Sequence, residues 1–151
     1  MNSVSELNKL KVRLFVEAVV NEGRLELISD LVAADYRGFV PWAEAEVIGP
    51  EGLRRLVTGR RRAHPGLYVK IEDQIAEDDR VVTRWLATAM APGRRAAGAR
   101  GRRVPCCMGI SIIRLLAGKQ VDSYTECTNL IFQPNDRETT PGYALTKKVI
   151  S

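Results

Sequence analysis

A chain of 151 residues with 45% hydrophobic and 27% charged residues is long enough for one domain with one core, which excludes a globally disordered polymer. No apolar run reaches the ~20 residues that span a bilayer. The opening M-N-S-V-S-E-L-N-K-L-K carries no apolar signal block, so a cytoplasmic protein without membrane association is expected.

Ser5 to Val20 reads as an amphipathic helix, with Leu7, Leu10, Leu14 and Ala18 at three- and four-residue steps and Phe15 and Val19 widening the stripe. Ser3 or Ser5 can cap its start, and Gly23 supplies a left-handed exit. Arg24 to Val32 reads as a second helix with Leu25, Ile28, Leu31 and Val32 on one side. Tyr36 to Val40 reads as a short strand closed by Pro41. Gly49-Pro50-Glu51-Gly52 opens a third helix, which His64-Pro65-Gly66 stops. Four strands are expected next: Tyr68 to Ala76, Arg80 to Met90, Val104 to Leu116 and Gln120 to Ile131. Asp78-Asp79 and Ala117-Gly118 are their hairpin signals. Helices followed by an antiparallel meander define an α+β chain. A sheet curled over three helices leaves an apolar cavity between the layers. The domain takes residues 1–132, and 133–151 form a tail without clear periodicity.

The net charge of +5 is concentrated. Arg54, Arg55, Arg60, Arg61 and Arg62 fall on the third helix, and Arg94, Arg95, Arg100, Arg102 and Arg103 in one Gly/Ala-rich loop. No aromatic residue interleaves with either cluster to stack a base, so an arginine-rich surface is favoured over a nucleic-acid footprint. Cys106, Cys107 and Cys127 match no zinc spacing, and His64 is the only histidine. Cys106 and Cys107 are adjacent on a strand and are expected on opposite faces, as small reduced hydrophobes.

Three segments carry a family likeness: N-E-G-R-L-E-L-I-S-D-L-V-A-A-D-Y (Asn21–Tyr36), I-A-E-D-D-R-V-V-T-R-W (Ile75–Trp85) and G-I-S-I-I-R-L-L-A-G-K-Q-V-D-S-Y (Gly109–Tyr124). Together they resemble the SnoaL-like polyketide cyclases, relatives of ketosteroid isomerase and limonene epoxide hydrolase. The resemblance implies a cone-shaped α+β fold, a homodimer, and proton-transfer chemistry on a hydrophobic polyketide-like molecule without metal or organic cofactor. It also places the family's catalytic carboxylate at Thr125 and its supporting histidine at Ser111, so both groups are replaced here. A hydroxyl has no accessible pKa for proton abstraction near neutrality.

Substitute groups are therefore sought nearby. Glu126 is the nearest carboxylate, with Asp122 of the same parity. A β-bulge would turn Glu126 inward, and regular alternation would leave it outside. His64 is either a general base or a helix-end packing residue. Arg84 alternates with Trp85, so one of the two faces the cavity. An inward Arg84 would need Glu126 or a ligand oxyanion as its partner. Tyr36, Trp42 and Tyr124 are candidate aromatic walls, and Ser111 and Thr125 are expected to face the cavity. Cys107 or Cys127 with His64, and Ser111 alone, are weaker nucleophile candidates. Two functional readings follow. One is a cyclase or isomerase of secondary metabolism using Glu126, His64 and Arg84. The other is a non-catalytic small-molecule-binding or dimerisation module.

Overall fold

A computed structural model describes residues 3–91 and 102–130. The tail and the central part of the arginine loop, with Arg94, Arg95 and Arg100, lie outside the described residues. Helix α1 (Val4–Leu14) runs into π-helical turns (Phe15–Asn21). A 3-10 turn (Leu25–Leu27) and a short α2 (Ile28–Leu31) lead to strand β1 (Val32–Phe39) and the two-residue β2 (Val47–Ile48). Helix α3 (Gly49–Ala63) follows, then β3 (Tyr68–Glu77), β4 (Arg80–Met90), β5 (Arg103–Leu116) and β6 (Lys119–Asn129). Ser3 caps α1 through its Oγ, which accepts from the Glu6 amide at 3.2 Å. Pro50 sits in the first turn of α3. Ala117 and Gly118 both take positive φ, the backbone twist a two-residue hairpin requires.

The six strands form one curved, unclosed sheet in the order β2-β1-β6-β5-β4-β3. The antiparallel meander β3–β6 is as expected, but β1 adds to it in parallel beside β6. The second helix is shorter than its expected Arg24 to Val32 span, because Leu25–Leu27 form a 3-10 turn at its start and Val32, at its end, pairs with Gln120 in β1. Val32 faces the core there, fully buried.

The first helix corrects a second expectation. Phe15, Ala18 and Val19 are buried as expected, but Leu7, Leu10 and Leu14 are 43–52% exposed, and Asn8 and Val12 are buried in their place. The helix carries two apolar stripes. The inward one is chosen because Val12 meets Val81, Ile113 and Leu115, while Phe15 and Val19 join the Ile28–Leu53–Val57 core. The π turns then swing the end of the helix against β3. There the Asn21 amide donates to the Val69 carbonyl at 2.9 Å and accepts from the Val69 amide at 2.7 Å.

Two bulges set which side chains face inward. Val121 is the extra residue between the pairs Leu115↔Gln120 and Arg114↔Asp122. It changes the parity of β6, so that Gln120 and then Ser123, Thr125 and Cys127 share the concave side. Cys106 is the extra residue opposite Ala87 and Thr88. It joins Cys107 against the Leu67–Ala87 cluster, so the adjacent cysteines do not take opposite faces.

Candidate functional site

The helices and the concave sheet face enclose a cavity of about 170 Å³. Its sheet floor is a register of paired side chains. Thr83↔Ser111↔Thr125 crosses three strands, with Trp85↔Gly109↔Cys127 one step along. Its walls come from Phe15, Val16 and Val20 of the π turns, from Trp42, and from Leu53, Leu56, Val57 and Arg60 of α3.

Two glycines make room for two aromatic rings. A Cβ on Gly109 would lie 2.6 Å from Trp85 Cζ2 and 2.9 Å from the Cys127 Cβ, so the indole can lie flat across the strand only over a hydrogen. In that position Trp85 Nε1 donates to Ser111 Oγ at 3.1 Å, and Ser111 Oγ lies 2.9 Å from Thr125 Oγ1. Gly38 plays the same part for Tyr36, since a Cβ there would overlap the Tyr36 hydroxyl. Lying along β1, the phenol reaches Ser123 Oγ at 2.5 Å.

Each hydroxyl pair has two O–H protons and spends one on the bond between its members. The Ser111–Thr125 and Tyr36–Ser123 pairs therefore each keep one O–H proton beyond the bond between their members, and all four residues line the cavity. Burial raises the Tyr36 pKa above its ordinary value against the opposing effect of the Ser123 hydrogen bond, so the phenol stays a donor at neutral pH.

Of the residues singled out in the sequence, Tyr36, Trp42, Trp85, Cys107, Ser111 and Thr125 line the cavity. Tyr124, Glu126, Arg84 and His64 do not. The bulge that was to turn Glu126 inward exists, but at Val121 it lies upstream and fixes Thr125 as the inward residue. Glu126 is exposed on the convex face and accepts from the Tyr124 hydroxyl. Tyr124 in turn stacks on Phe39, with ring centroids 5.2 Å apart. Asp122 also faces outward and pairs with Arg114 at 2.7 Å. Arg84 is exposed and pairs in register with outward Ile110, leaving the inward position to Trp85. His64 ends α3, its amide donating to the Arg60 carbonyl at 3.0 Å. Partial burial and then Arg60 lower its pKa, so the ring is neutral at pH 7.

Sequence reasoning missed Arg60, hidden within a run of arginines. The structure divides that run by task. Arg54 pairs with Glu51 and also donates to Ser29. Arg61 donates to the Val20 and Asn21 carbonyls at 2.7 and 2.6 Å, capping the π turns. Arg60 turns into the cavity wall, with its guanidinium carbon 4.6 Å from the Trp42 ring centroid.

Beside Arg60 the three thiols share protons unequally. Contact with Cys107 lowers the Cys127 pKa against burial, with further help from Arg60. Contact with Cys106 pulls Cys107 down, but contact with Cys127 and burial outweigh it and lift Cys107 to about 11. Alkylation proceeds through the thiolate. Iodoacetamide at pH 8 is thus expected to modify Cys127 before Cys106 and Cys107, as read by peptide mass mapping. Modification of Cys107 first would contradict this order of acidities.

The sequence profile of the SnoaL-like domain family matches residues 12–123, and the chain belongs to this family. Among solved structures it is similar to a protein from Jannaschia sp. CCS1 assigned as a SnoaL-like polyketide cyclase. That match has 16% identity and a TM-score of 0.69, covering 84% of this chain and 89% of that one. It is also similar to IdmH from Streptomyces antibioticus, assigned as a polyketide cyclase, at 20% identity, TM-score 0.67 and coverage of 80% and 91%. A third match is AclR from Streptomyces galilaeus, assigned as a hydroxylase, at 24% identity, TM-score 0.62 and coverage of 80% and 88%. Identities this low establish the shared fold alone. No curated protein matches the chain significantly. Among the described residues no helix is long and apolar enough to cross a membrane.

Proposed function

We propose that this protein is a cofactor-independent cyclase or isomerase of secondary metabolism acting on a polyketide-like molecule. The observation that carries the reading is the presence of two hydrogen-bonded hydroxyl pairs, Tyr36–Ser123 and Ser111–Thr125, in the lining of a mostly apolar cavity. Ring closure and double-bond migration in a polyketone both pass through an enolate. Fixed O–H donors in a water-poor site stabilise such an oxyanion without reorganising. The apolar walls fold the chain so that its reacting carbons meet, which contributes through orientation. The exposed Glu126 and Arg84 and the helix-ending His64 have no part in this reading. The Tyr36–Ser123 and Ser111–Thr125 pairs act as donors to the enolate oxygen and not as bases; the α-proton of the substrate passes to solvent water or hydroxide, because the described cavity lining holds no carboxylate or imidazole.

The test is turnover of linear β-polyketones, followed by absorbance and mass spectrometry. Tyr36→Phe combined with Ser123→Ala, which removes both hydroxyls of one pair, is expected to lower kcat by about 10²-fold, the usual loss for one oxyanion donor, with little change in KM. Thr125→Val should cost a modest factor, because the Ser111 hydroxyl remains. Glu126→Gln should match the parental rate. A loss of 10²-fold or more in Glu126→Gln would return proton transfer to that carboxylate and overturn the assignment. Tight binding of such compounds with no turnover would favour the second reading, a non-catalytic binding module.

The same reading includes a homodimer. An apolar row crosses the convex face in register, Phe39–Tyr124–Ile112–Val82–Ile75. Its four most open members are 43–65% exposed, a contiguous patch of the kind that marks an interface.

A further inference from the structure

We propose that the Arg60–Trp42 corner of the cavity is a carboxylate subsite, so that the ligand enters as a free apolar acid rather than as an ester or thioester. The inference rests on the cavity being the ligand site, as in the reading above, but not on any reaction taking place there.

Arg60 is the one charged side chain lining the cavity among the described residues. No carboxylate pairs with it there. Its contacts are the Trp42 ring and a weak hydrogen bond from Nη2 to Cys107 Sγ at 3.8 Å. A guanidinium has five N–H donors and strongly disfavours an apolar wall unless an anion compensates it. Trp42 covers the face of the guanidinium, a favourable arrangement that leaves free the edge donors other than the one directed at Cys107. That free edge matches the two oxygens of a carboxylate.

A second observation points to the same corner. Trp42 Nε1 is buried and has no acceptor among the described residues, and the Trp42 side chain belongs to the cavity wall. A buried donor without a partner is costly, and a ligand oxygen held beside Arg60 would be positioned to relieve it after a small rotation of the ring. Next to the corner the wall is made by Leu53, Leu56 and Val57 of the same helix, with the hydroxyl pairs on the sheet floor, so the part of the ligand adjoining the carboxylate is apolar. An ester or thioester offers a carbonyl oxygen but no charge, and it would leave Arg60 uncompensated.

The probe is naphthoate against its uncharged methyl ester, with binding followed by tryptophan fluorescence and calorimetry at neutral pH. The parental protein is expected to bind the acid at least about 10-fold more tightly than the ester, in line with a hydrogen-bonded charge. Arg60→Met should abolish the preference while ester binding is retained, which also reports that the cavity is intact. Arg60→Lys should keep part of the preference, since it keeps the charge but not the planar fork. Arg55→Met, an exposed arginine of the same helix, removes the same net charge and should leave the preference unchanged. Equal affinities for acid and ester in the parental protein overturn the proposal, as does failure of either to bind. So does an acid preference that survives in Arg60→Met. Because no step is measured by turnover, a protein that cyclises nothing can still pass, and an active cyclase can still fail.

Discussion

Gly109→Val is expected to destabilise the protein by about 3 kcal/mol or more, towards the upper end of the cost of overpacking a core. It should lower the melting temperature by roughly 10 °C in a chain of this size. The new Cβ alone would lie 2.5 Å from the Glu126 carbonyl oxygen and 2.6 Å from Trp85 Cζ2. Neither neighbour can yield cheaply, because one is ladder backbone and the other a ring held by its bond to Ser111. The strands must part or the indole must leave the floor. The second route breaks the Trp85–Ser111–Thr125 chain, so ligand affinity should fall together with stability. Gly59→Ala is the matching control. Gly59 lies on α3 with nothing within 4 Å of its would-be Cβ, and alanine is the better helix former by roughly 0.5–1 kcal/mol. The two glycine substitutions should therefore move the melting temperature in opposite directions. A Gly109→Val protein that melts within a degree or two of the parent would refute the account of the cavity floor.

What the sequence disclosed and what it concealed divide along range. The β3–β4 and β5–β6 hairpins were legible because alternation and turn residues are local. Asp78 and the Ala117-Gly118 pair take the positive φ their turns need. The helix ends were legible for the same reason, through Ser3 and Pro50. The parallel pairing of β1 with β6 joins residues some ninety positions apart, and Leu31-Val32 fits the helical pattern up to the point where β6 claims it. The face of α1 was misread over its first turns because Leu7, Leu10 and Leu14 form a better periodic stripe than Asn8 and Val12, which lead into the correctly expected Phe15. Only the partners across the core favour the second stripe. At the site, the inward Ser111 and Thr125 followed from parity. The exclusion of Glu126 depended on where one bulge falls, and Val121 carries no local mark of it. Arg60 was concealed by its neighbours, since five arginines on one helix read as a solvated face. Residue type could not show that one of them turns inward onto Trp42.

Ile112→Asp is expected to weaken self-association of the proposed homodimer by about 10³-fold or more, converting it to monomer at micromolar concentration without unfolding it. Ile112 is the centre of the convex apolar row and is 43% exposed in the single chain, so aspartate there is tolerated when water can reach it. The charges around the row favour a second copy of this chain as the occupant. On one side Arg84 and Glu126 flank Ile110 at equal register, and on the other Arg80 and Asp122 flank Arg114. A twofold axis running along β5 exchanges left and right on this face. It would lay Arg84 against the partner's Glu126, Arg80 against the partner's Asp122, and Val82 against the partner's Tyr124. Opposite charges meet on either side of the axis, the two Arg114 side chains meet on it with each paired to its own Asp122, and the apolar row meets itself, which is the self-complementarity an isologous interface requires. Under such symmetry each substitution counts twice, and two unpaired carboxylates buried near the axis cost several kcal/mol and repel each other. Light scattering and sedimentation of the parent and of Ile112→Asp, with circular dichroism as the folding control, decide the matter. A parent that is monomeric at tens of micromolar, or an Ile112→Asp protein that remains dimeric, would place the interface elsewhere or remove it.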